Sequence, residues 1–272
     1  MTPYLSVCSC LGYDAPYLYE WLEFHRLVGV ERFFLYNNGD REVQREMLAP
    51  YVEEGIVELH DWRVFPAPQM PAFRDCIVRH KHDSRWIGFI DTDEFLFSPT
   101  GRPMPDVLRD YERWPGVGVC RAFFGPSGHK QKPDGLVIES YRRRLTKHKG
   151  SGFVKSIIDP SRAVRAMNPH WFRFEDRMPT VDENGEPVNE QYAKAVTFEK
   201  LRINHYWTRS EEEWAQKSAR LRPDTGTDYR EDWTPEHMRS LDLETGELDD
   251  TIQPLVPPLK EALEQRLQRS KA

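Results

Sequence analysis

Apolar runs and helical periodicities alternate along the first third of the chain. Four apolar runs predict strands, over residues 4–10, 31–38, 55–62 and 85–91. Between the first two runs, large side chains recur at helical spacing: Leu18, Trp21, Leu22, His25 and Val28. Two further helices are predicted, over 41–51 and 70–82. Strands and helices that alternate in this order are typical of a parallel sheet with helices on both faces.

The second half of the chain has a less regular pattern. It predicts three strands, over 116–125, 135–141 and 201–207. The polar segment 175–191 contains prolines and predicts a loop, and Ser210 and Glu213 have the spacing of a capping box that opens a helix. The tail predicts a short helix docked on the domain, or alternatively one lying on a membrane surface, through three residues at four-residue spacing: Leu259, Leu263 and Leu267.

Composition and charge exclude several classes of protein. The chain has 272 residues with a net charge of −6, so it lacks the basic field that nucleic-acid binding requires. We find no transmembrane run and no basic-then-apolar leader, and expect a cytoplasmic protein, or one held by partners at the inner face of the membrane. The four cysteines lack metal-binding spacing and are expected to be reduced, buried thiols: Cys8, Cys10, Cys76 and Cys120.

Polar residues follow three of the predicted strands, at 12–14, 37–40 and 91–94. Ligands of parallel sheets bind beyond the carboxyl ends of the strands, so these segments are candidates for one site. In WIGFIDTDEFLF, Asp91 and Asp93 are two residues apart, and an extended chain turns them to the same side. Two hard oxygen donors favour Mg²⁺ or Mn²⁺, which could bridge to a diphosphate. The alternative is that these acids cap a turn or pair with Arg85 or Arg102.

Three blocks carry a resemblance to a known family: APYLYEWLEFHRLVGVERFFLYNNGD, WIGFIDTDEFLF and INHYWTRSEEEWAQK. In the residues of these blocks, and in their order and spacing, the sequence resembles glycosyltransferase family 92 and its bacterial relatives within the family 2-like superfamily. The resemblance implies a GT-A fold: a Rossmann-like, mainly parallel sheet flanked by helices, with an acceptor-side subregion and a C-terminal helical tail. We expect one domain over 1–272, with a nucleotide-sugar-binding half (1–115), an acceptor-side half (116–220) and a C-terminal extension (221–272).

The resemblance also implies a metal site. The DxD motif of the family falls on Asp91 and Asp93, with Asp93 the main ligand and Asp91 contacting the ribose, or the metal through water. His205, in the Asn-His-Tyr block, would complete the metal ligands, and an imidazole beside carboxylates suits Mn²⁺ somewhat better than Mg²⁺. A structural role for this histidine is the alternative.

The donor-binding residues expected from the resemblance are Asp14, Asn37, Asp91, Arg209 and Lys217. Arg209 and Lys217 could pair with diphosphate oxygens, or be solvated charges on a helix. The sequence departs from the family at 12–14, where Gly-Tyr-Asp replaces Lys-Asn-Glu, and at Asn37, where relatives carry Asp. An asparagine can still recognise a pyrimidine edge, since it offers a donor and an acceptor.

Transfer with inversion requires a base, and four acids are candidates that the sequence does not rank: Asp134, Glu139, Glu175 and Asp176. For each of them, an ordinary surface acid is the alternative. On the acceptor side we expect a loop that includes Ser127 and His129. Trp171 could stack on a sugar ring or pack in the core.

We therefore predict a metal-dependent, hexosyltransferase-like enzyme. It would transfer a sugar from a nucleotide sugar, expected to be UDP-linked, to a hydroxyl of a glycan or lipid-linked acceptor in bacterial polysaccharide biosynthesis. A sugar nucleotidyltransferase is one alternative, although residues 12–15 do not form its glycine-rich phosphate loop. A non-catalytic relative that binds carbohydrate or nucleotide is another. The sugar, the acceptor, the linkage and the oligomeric state stay open.

Overall fold

The computed structural model describes residues 2–12, 15–148, 150, 152–229 and 234–269. Eight strands form one central sheet, and four more strands form two antiparallel pairs that lie apart from it. In chain order the strands are β1 (Leu5–Leu11), β2 (Arg32–Asn37), β3 (Val57–Asp61), β4 (Trp86–Phe89), β5 (Glu94–Phe97), β6 (Gly116–Phe123), β7 (Arg143–Leu145), β8 (Val154–Ile158), β9 (Ala163–Ala166), β10 (Phe172–Phe174), β11 (Arg202–His205) and β12 (Gly246–Leu248).

The central sheet has the strand order β3-β2-β1-β4-β8-β6-β11-β5. The first four strands are mutually parallel, and β6 and β11 run in the same direction as they do. Only β8 and β5 are antiparallel to their neighbours. The prediction of a mainly parallel sheet is confirmed. One edge of this sheet therefore collects the carboxyl ends of six strands and the amino ends of β5 and β8.

Helices cover both faces of the sheet, as predicted. In chain order they are α1 (Leu18–Leu27), α2 (Arg41–Glu53), α3 (Gln69–Arg79), α4 (Met104–Leu108), α5 (Val137–Ser140), α6 (Glu211–Ser218), α7 (Pro235–Thr245) and α8 (Val256–Arg269). Alternate strand residues point to opposite faces. Phe33 and Leu35 thus join the larger core cluster with α1 and α2, whereas Phe34 and Tyr36 join a second cluster beneath α3.

One sequence expectation is wrong. The strand predicted over 135–141 is the short helix α5, because the buried carboxylate of Glu20 accepts hydrogen bonds from the first backbone N–H groups, Val137 N at 2.9 Å and Ile138 N at 3.1 Å. Glu20 thereby supplies the partners that a helix N-terminus lacks. The structure also has strands where the sequence analysis predicted none: the segment 142–156 contains β7 and the start of β8, which lies between β4 and β6.

Helix α1 covers the free edge of β5. Trp21 Nε1 donates to Glu94 O (2.9 Å), and Leu96 N donates to His25 Nε2 (3.1 Å). His25 Nδ1 in turn lies 2.8 Å from Trp21 O, to which it donates. Burial lowers the pKa of His25 to about 3, so the ring is neutral with one donor and one acceptor nitrogen. The helical stripe predicted from the sequence thus fixes the strand that begins at Glu94.

The C-terminal helix α8 packs on α1, which confirms a docked tail helix. Leu259 is buried and Leu263 partly buried, but Leu267 is 52% exposed and does not belong to the docking face. Arg266 belongs to the docking face instead. Its buried guanidinium lies over the ring of Tyr51, with Nε 3.3 Å from Glu23 Oε1 and Nη1 2.5 Å from Glu54 Oε1. A buried cation with two carboxylates therefore ties the tail to α1 and α2.

Replacing Arg266 with alanine should lower the free energy of unfolding by about 2 kcal/mol. The loss is moderate for a buried ion pair, because Arg26 remains 3.0 Å from Glu23 as a second cation. Urea unfolding followed by circular dichroism measures it. Arg269→Ala removes an exposed arginine from the same helix and should change stability by less than about 0.5 kcal/mol. Equal losses in both variants would contradict a specific role for Arg266.

Candidate functional site

A cavity of about 1070 Å³ opens where the carboxyl ends of the parallel strands meet. Its lining includes Gly12 after β1, Gly39 after β2, residues 91–93 after β4, and His205 at the end of β11. A Cβ on Gly39 would lie 1.6 Å from Gly12 O, so only glycine allows the loops after β1 and β2 to approach this closely. Residues 221–224 and part of α7 complete the wall.

Residues 91–94 form a tight turn around the carboxylate of Glu94. Glu94 Oε2 accepts a hydrogen bond from Asp91 N (2.9 Å), and Glu94 N donates to Asp91 O (3.1 Å). Tyr206 N donates to Asp93 O (2.9 Å), which joins the turn to the end of β11. Hydrogen bonds to Glu94 and to Tyr206 therefore hold the backbone of the DxD segment in place.

Glu94 is fully buried and is surrounded by cationic and imidazole groups. Arg121 Nη1 lies 3.3 Å and His205 Nδ1 3.6 Å from its Oε1, and Lys155 Nζ lies 3.6 Å from its Oε2. Burying a carboxylate costs several kcal/mol unless such partners compensate it. The sequence analysis included Glu94 in the polar segment 91–94 but assigned it no role, and it did not identify Arg121 or Lys155. No signal in the sequence marked them, because their strands β6 and β8 meet Glu94 only in the fold.

Asp91 uses both carboxylate oxygens within the protein. Lys155 Nζ donates to its Oδ2 at 2.8 Å, and Gln69 Nε2, at the start of α3, donates to its Oδ1 at 2.5 Å. Its side chain is one-third exposed and lines the cavity. Asp91 does not form a three-ligand group with Asp93 and His205. The structure therefore places it beside the predicted metal ligands, with its oxygens already engaged.

Asp93 is arranged differently, with one oxygen left open. Lys217 Nζ donates to its Oδ2 at 2.5 Å, whereas its Oδ1 is buried without a hydrogen-bond partner, 3.3 Å from His205 Nε2. Burial alone would raise the pKa of Asp93, but Lys217 and His205 outweigh that effect and hold the pKa well below its usual value. Asp93 is thus an anion with an unused acceptor pointing at an imidazole.

The Asp93 and His205 pair fits two ligand positions of one divalent cation. Ligand atoms at octahedral bond lengths lie about 3 Å apart, close to the 3.3 Å between Asp93 Oδ1 and His205 Nε2. Glu94 Oε1, on the far side of the ring, could hold Nδ1 protonated and leave Nε2 to bind, as outer carboxylates do for metal-binding histidines. The chain thus offers two protein ligands and leaves the remaining positions to a donor or water.

The structure places some of the predicted donor-binding residues in the cavity lining, but not all of them. Arg209 and Lys217 line the cavity, and the Arg209 guanidinium lies 3.8 Å from the ring centroid of Tyr17. Asn37 is buried outside the lining with its Nδ2 donating to Arg41 O (3.1 Å), and Asn38 lines the cavity instead. Asp14 lies outside the described residues.

None of the four candidate bases lines the cavity. Glu139 pairs with Lys260 (2.7 Å), Glu175 with Lys81 (2.9 Å) and Asp176 with Arg162, while Asp134 is exposed. Their assignment stays a prediction without support from their positions. The acceptor-side candidates also lie outside the lining: Ser127 accepts from Arg143 N, His129 contacts Ser140 O, and only the neighbours of Trp171, Pro169 and His170, line the cavity.

The cavity lining includes three acids that sequence reasoning did not propose for the site: Glu212 and Glu213 in the first turn of α6, and Asp224 beyond that helix. Glu213 completes the predicted capping box with Ser210 and also accepts hydrogen bonds from Tyr17 and from Tyr141 (2.8 Å). Burial raises the pKa of Glu213 to about 7. Glu212 is exposed. The capping box was the one sequence signal for this part of the site.

A sequence model of glycosyltransferase family 92 matches residues 4–242. The chain belongs to glycosyltransferase family 92. A family 92 protein of Arabidopsis thaliana is 32% identical over 251 residues, covering 84% of this chain and 43% of that protein. A family 92 protein of rice, Oryza sativa subsp. japonica, is 32% identical over 188 residues, covering 65% and 31%. This chain therefore spans less than half the length of these plant relatives.

Two further likenesses are more distant. A galactan beta-1,4-galactosyltransferase of Arabidopsis thaliana is 31% identical over 104 residues, covering 35% of this chain and 21% of that protein. Among solved structures, S. aureus TarS 1–349 gives a TM-score of 0.38 with 10% identity, covering 58% of this chain and 47% of that one. Family membership agrees with the α/β class expected of GT-A enzymes. Within the described residues, every helix is too short or too polar to span a bilayer.

Glu94→Gln should lower the free energy of unfolding by about 3 kcal/mol, because buried Arg121 would lose its counter-charge and buried Lys155 would keep only Asp91. Glutamine keeps the shape and can still accept from Asp91 N, so the change isolates the charge. Urea unfolding measures the loss. Glu175→Gln, at an exposed ion pair, is the matched control and should change stability by less than about 0.5 kcal/mol. An unchanged unfolding midpoint for Glu94→Gln would contradict the compensating role assigned to this acid.

Proposed function

We propose that this family 92 chain is a glycosyltransferase that uses a nucleotide sugar, UDP-linked, with Mn²⁺ or Mg²⁺. The observation that carries the proposal is the buried, unpartnered Asp93 Oδ1 beside His205 Nε2, in a large cavity at the carboxyl edge of the sheet. The named activity of the galactosyltransferase relatives supports a hexosyl donor and a glycan acceptor. A bacterial source and a cytoplasmic location remain predictions.

The charges of the cavity suit a diphosphate. When bound by Asp93 and His205, the metal would neutralise negative charge on the departing diphosphate. Lys217 and Arg209 line the same cavity, and both could donate to phosphate oxygens. Asp91, already oriented by Lys155 and Gln69, would serve as a fixed acceptor for a donor hydroxyl.

Elimination favours Glu212 as the base. Among the described residues, the acids that line the cavity are Asp91, Asp93, Glu212, Glu213 and Asp224. Asp91 and Asp93 are held by lysines, Asp224 pairs with Arg222 (2.8 Å), and Glu213 accepts from Ser210 and two tyrosines. Glu212 is exposed at the cavity. In an inverting transfer it would take the proton of the acceptor hydroxyl as that oxygen bonds to the anomeric carbon and the bond to the diphosphate breaks.

One observation favours a second mechanism for the same transfer. Lys155 Nζ lies 2.8 Å from Asp91 Oδ2, and Lys217 Nζ lies 2.5 Å from Asp93 Oδ2, so two protein cations stand beside the DxD acids. The cations of the protein could therefore stabilise the leaving diphosphate without a metal. The two mechanisms differ in whether donor binding requires a divalent ion.

Asp93→Ala and His205→Ala should fold but lose metal-dependent binding of UDP. Calorimetric titration of UDP with Mn²⁺, and then with EDTA, measures this: we expect at least about 10-fold weaker binding for either variant, since each removes a ligand. His129→Ala, a histidine outside the cavity lining, is the control and should bind as the parent does. Parent-like binding in EDTA would reject the metal and favour the lysine-based mechanism. Absence of UDP binding in both conditions would reject the UDP donor.

Glu212→Gln should retain UDP binding but lower the rate of sugar transfer by about 10²–10⁴-fold, because proton removal from the acceptor is lost. The measurement is UDP release from a UDP-hexose with a panel of oligosaccharide acceptors. Glu211→Gln is the neighbouring control, since Glu211 pairs with Arg239 at 2.8 Å and does not line the cavity. A Glu212→Gln variant as fast as the parent would remove Glu212 from the mechanism.

A further inference from the structure

A second cluster of potential metal ligands lies away from the cavity, on β3 and at the end of α3. Glu58 and His60 are two residues apart in β3 and share one face of the sheet, and His80 follows α3, which packs over that face. One ligand atom from each of the three lies within 4.8 Å of the other two. None of the three lines the cavity.

The three side chains converge on one point without satisfying one another. His60 Nε2 is 3.5 Å and His80 Nε2 is 3.7 Å from the same oxygen, Glu58 Oε1. Both nitrogens are buried and have no hydrogen-bond partner, and His80 is only 3% exposed. Buried polar atoms are nearly always paired, so two unpaired nitrogens facing one carboxylate oxygen point to a site for a cation.

Neighbouring groups hold the ligands in this orientation. His80 Nδ1 lies 2.9 Å from Asp83 Oδ2, which can only accept, so Nδ1 carries the proton and Nε2 presents its lone pair. Arg32 donates to Glu58 Oε2 (2.9 Å), which turns Oε1 towards the imidazoles. Phe34 stacks on His80 and Tyr36 on His60, with ring centroids 3.7 and 4.6 Å apart.

The geometry indicates which nitrogen of His80 a metal would take. The hydrogen bond to Asp83 uses Nδ1 and leaves Nε2 directed at Glu58 Oε1. A carboxylate behind a metal-binding imidazole is common in zinc sites.

We propose that Glu58, His60 and His80 bind a zinc ion or a chemically similar transition metal. Two imidazole nitrogens and one carboxylate oxygen are a known three-ligand set for Zn²⁺, with a water in the fourth position. Tetrahedral ligands at Zn–N and Zn–O bond lengths lie about 3.3 Å apart, so the observed 3.5 and 3.7 Å require little movement. The ion would join the C-terminal end of α3 to β3, and so stabilise the helix whose first residue, Gln69, contacts Asp91.

The 272-residue chain, stripped of metal with a chelator, tests the proposal by Zn²⁺ titration against a chromogenic chelator. We expect one tight site per chain, a higher Tm with Zn²⁺ than without, and the visible absorption of tetrahedral Co²⁺ when cobalt replaces zinc. His60→Gln and Glu58→Gln should weaken Zn²⁺ binding by at least about 100-fold, and Asp83→Asn by about 10–100-fold. Because His80 is buried, the two ligands on β3 carry the test even where His80→Gln does not fold.

Two controls separate this cluster from the rest of the chain. His82→Gln removes an exposed histidine two residues from His80 and should leave Zn²⁺ affinity and Tm shift unchanged. Asp93→Asn removes the proposed cavity ligand and should also leave this site intact, so the proposal does not depend on the cavity metal. Absence of tight Zn²⁺ binding in the parent, or binding that survives His60→Gln and is lost in Asp93→Asn, would overturn it.

Discussion

The candidate site depends on the burial of one carboxylate, Glu94. Its side chain, at the start of β5, is fully buried among side chains of β6, β8 and β11, and it is tolerable there only because Arg121 and Lys155 provide charge and Asp91 N provides a hydrogen bond. Its carbonyl oxygen is held by Trp21 from α1. One residue thus connects the helix on the sheet, three strands and the turn that presents the DxD acids.

This arrangement makes the two DxD aspartates unequal. Lys155 is shared between Glu94 and Asp91. Both carboxylate oxygens of Asp91 therefore accept hydrogen bonds, one from Lys155 and one from Gln69, whereas only one oxygen of Asp93 accepts a hydrogen bond, from Lys217. The open oxygen of Asp93 faces an imidazole whose other nitrogen is directed at Glu94 and Arg121. The same buried acid therefore orders one aspartate and orients the histidine beside the other.

Helix α3 links the two clusters of polar chemistry. Its first residue, Gln69, donates to Asp91 and receives support from the segment after α6, through the hydrogen bond from Gln69 N to Pro223 O (3.1 Å). Its other end leads to His80, over Glu58 and His60. A metal bound at the C-terminal end of α3 would also stabilise the cavity wall at its N-terminal end, because a helix of three turns moves as one rigid unit.

The sequence by itself determined what is local. The stripe of α1, the first four strands, the capping box of Ser210 and Glu213, and the position of the DxD acids after β4 all follow from spacing along the chain. Only the tertiary structure decided that β8 lies between β4 and β6, that Glu20 makes 137–140 a helix from more than a hundred residues away, and that Asp93 rather than Asp91 keeps an open oxygen. The physical reason is that a buried charge is stable only beside groups that compensate it. Those partners, Lys155, Lys217 and His205, come from distant strands and helices whose pairing no local pattern specifies.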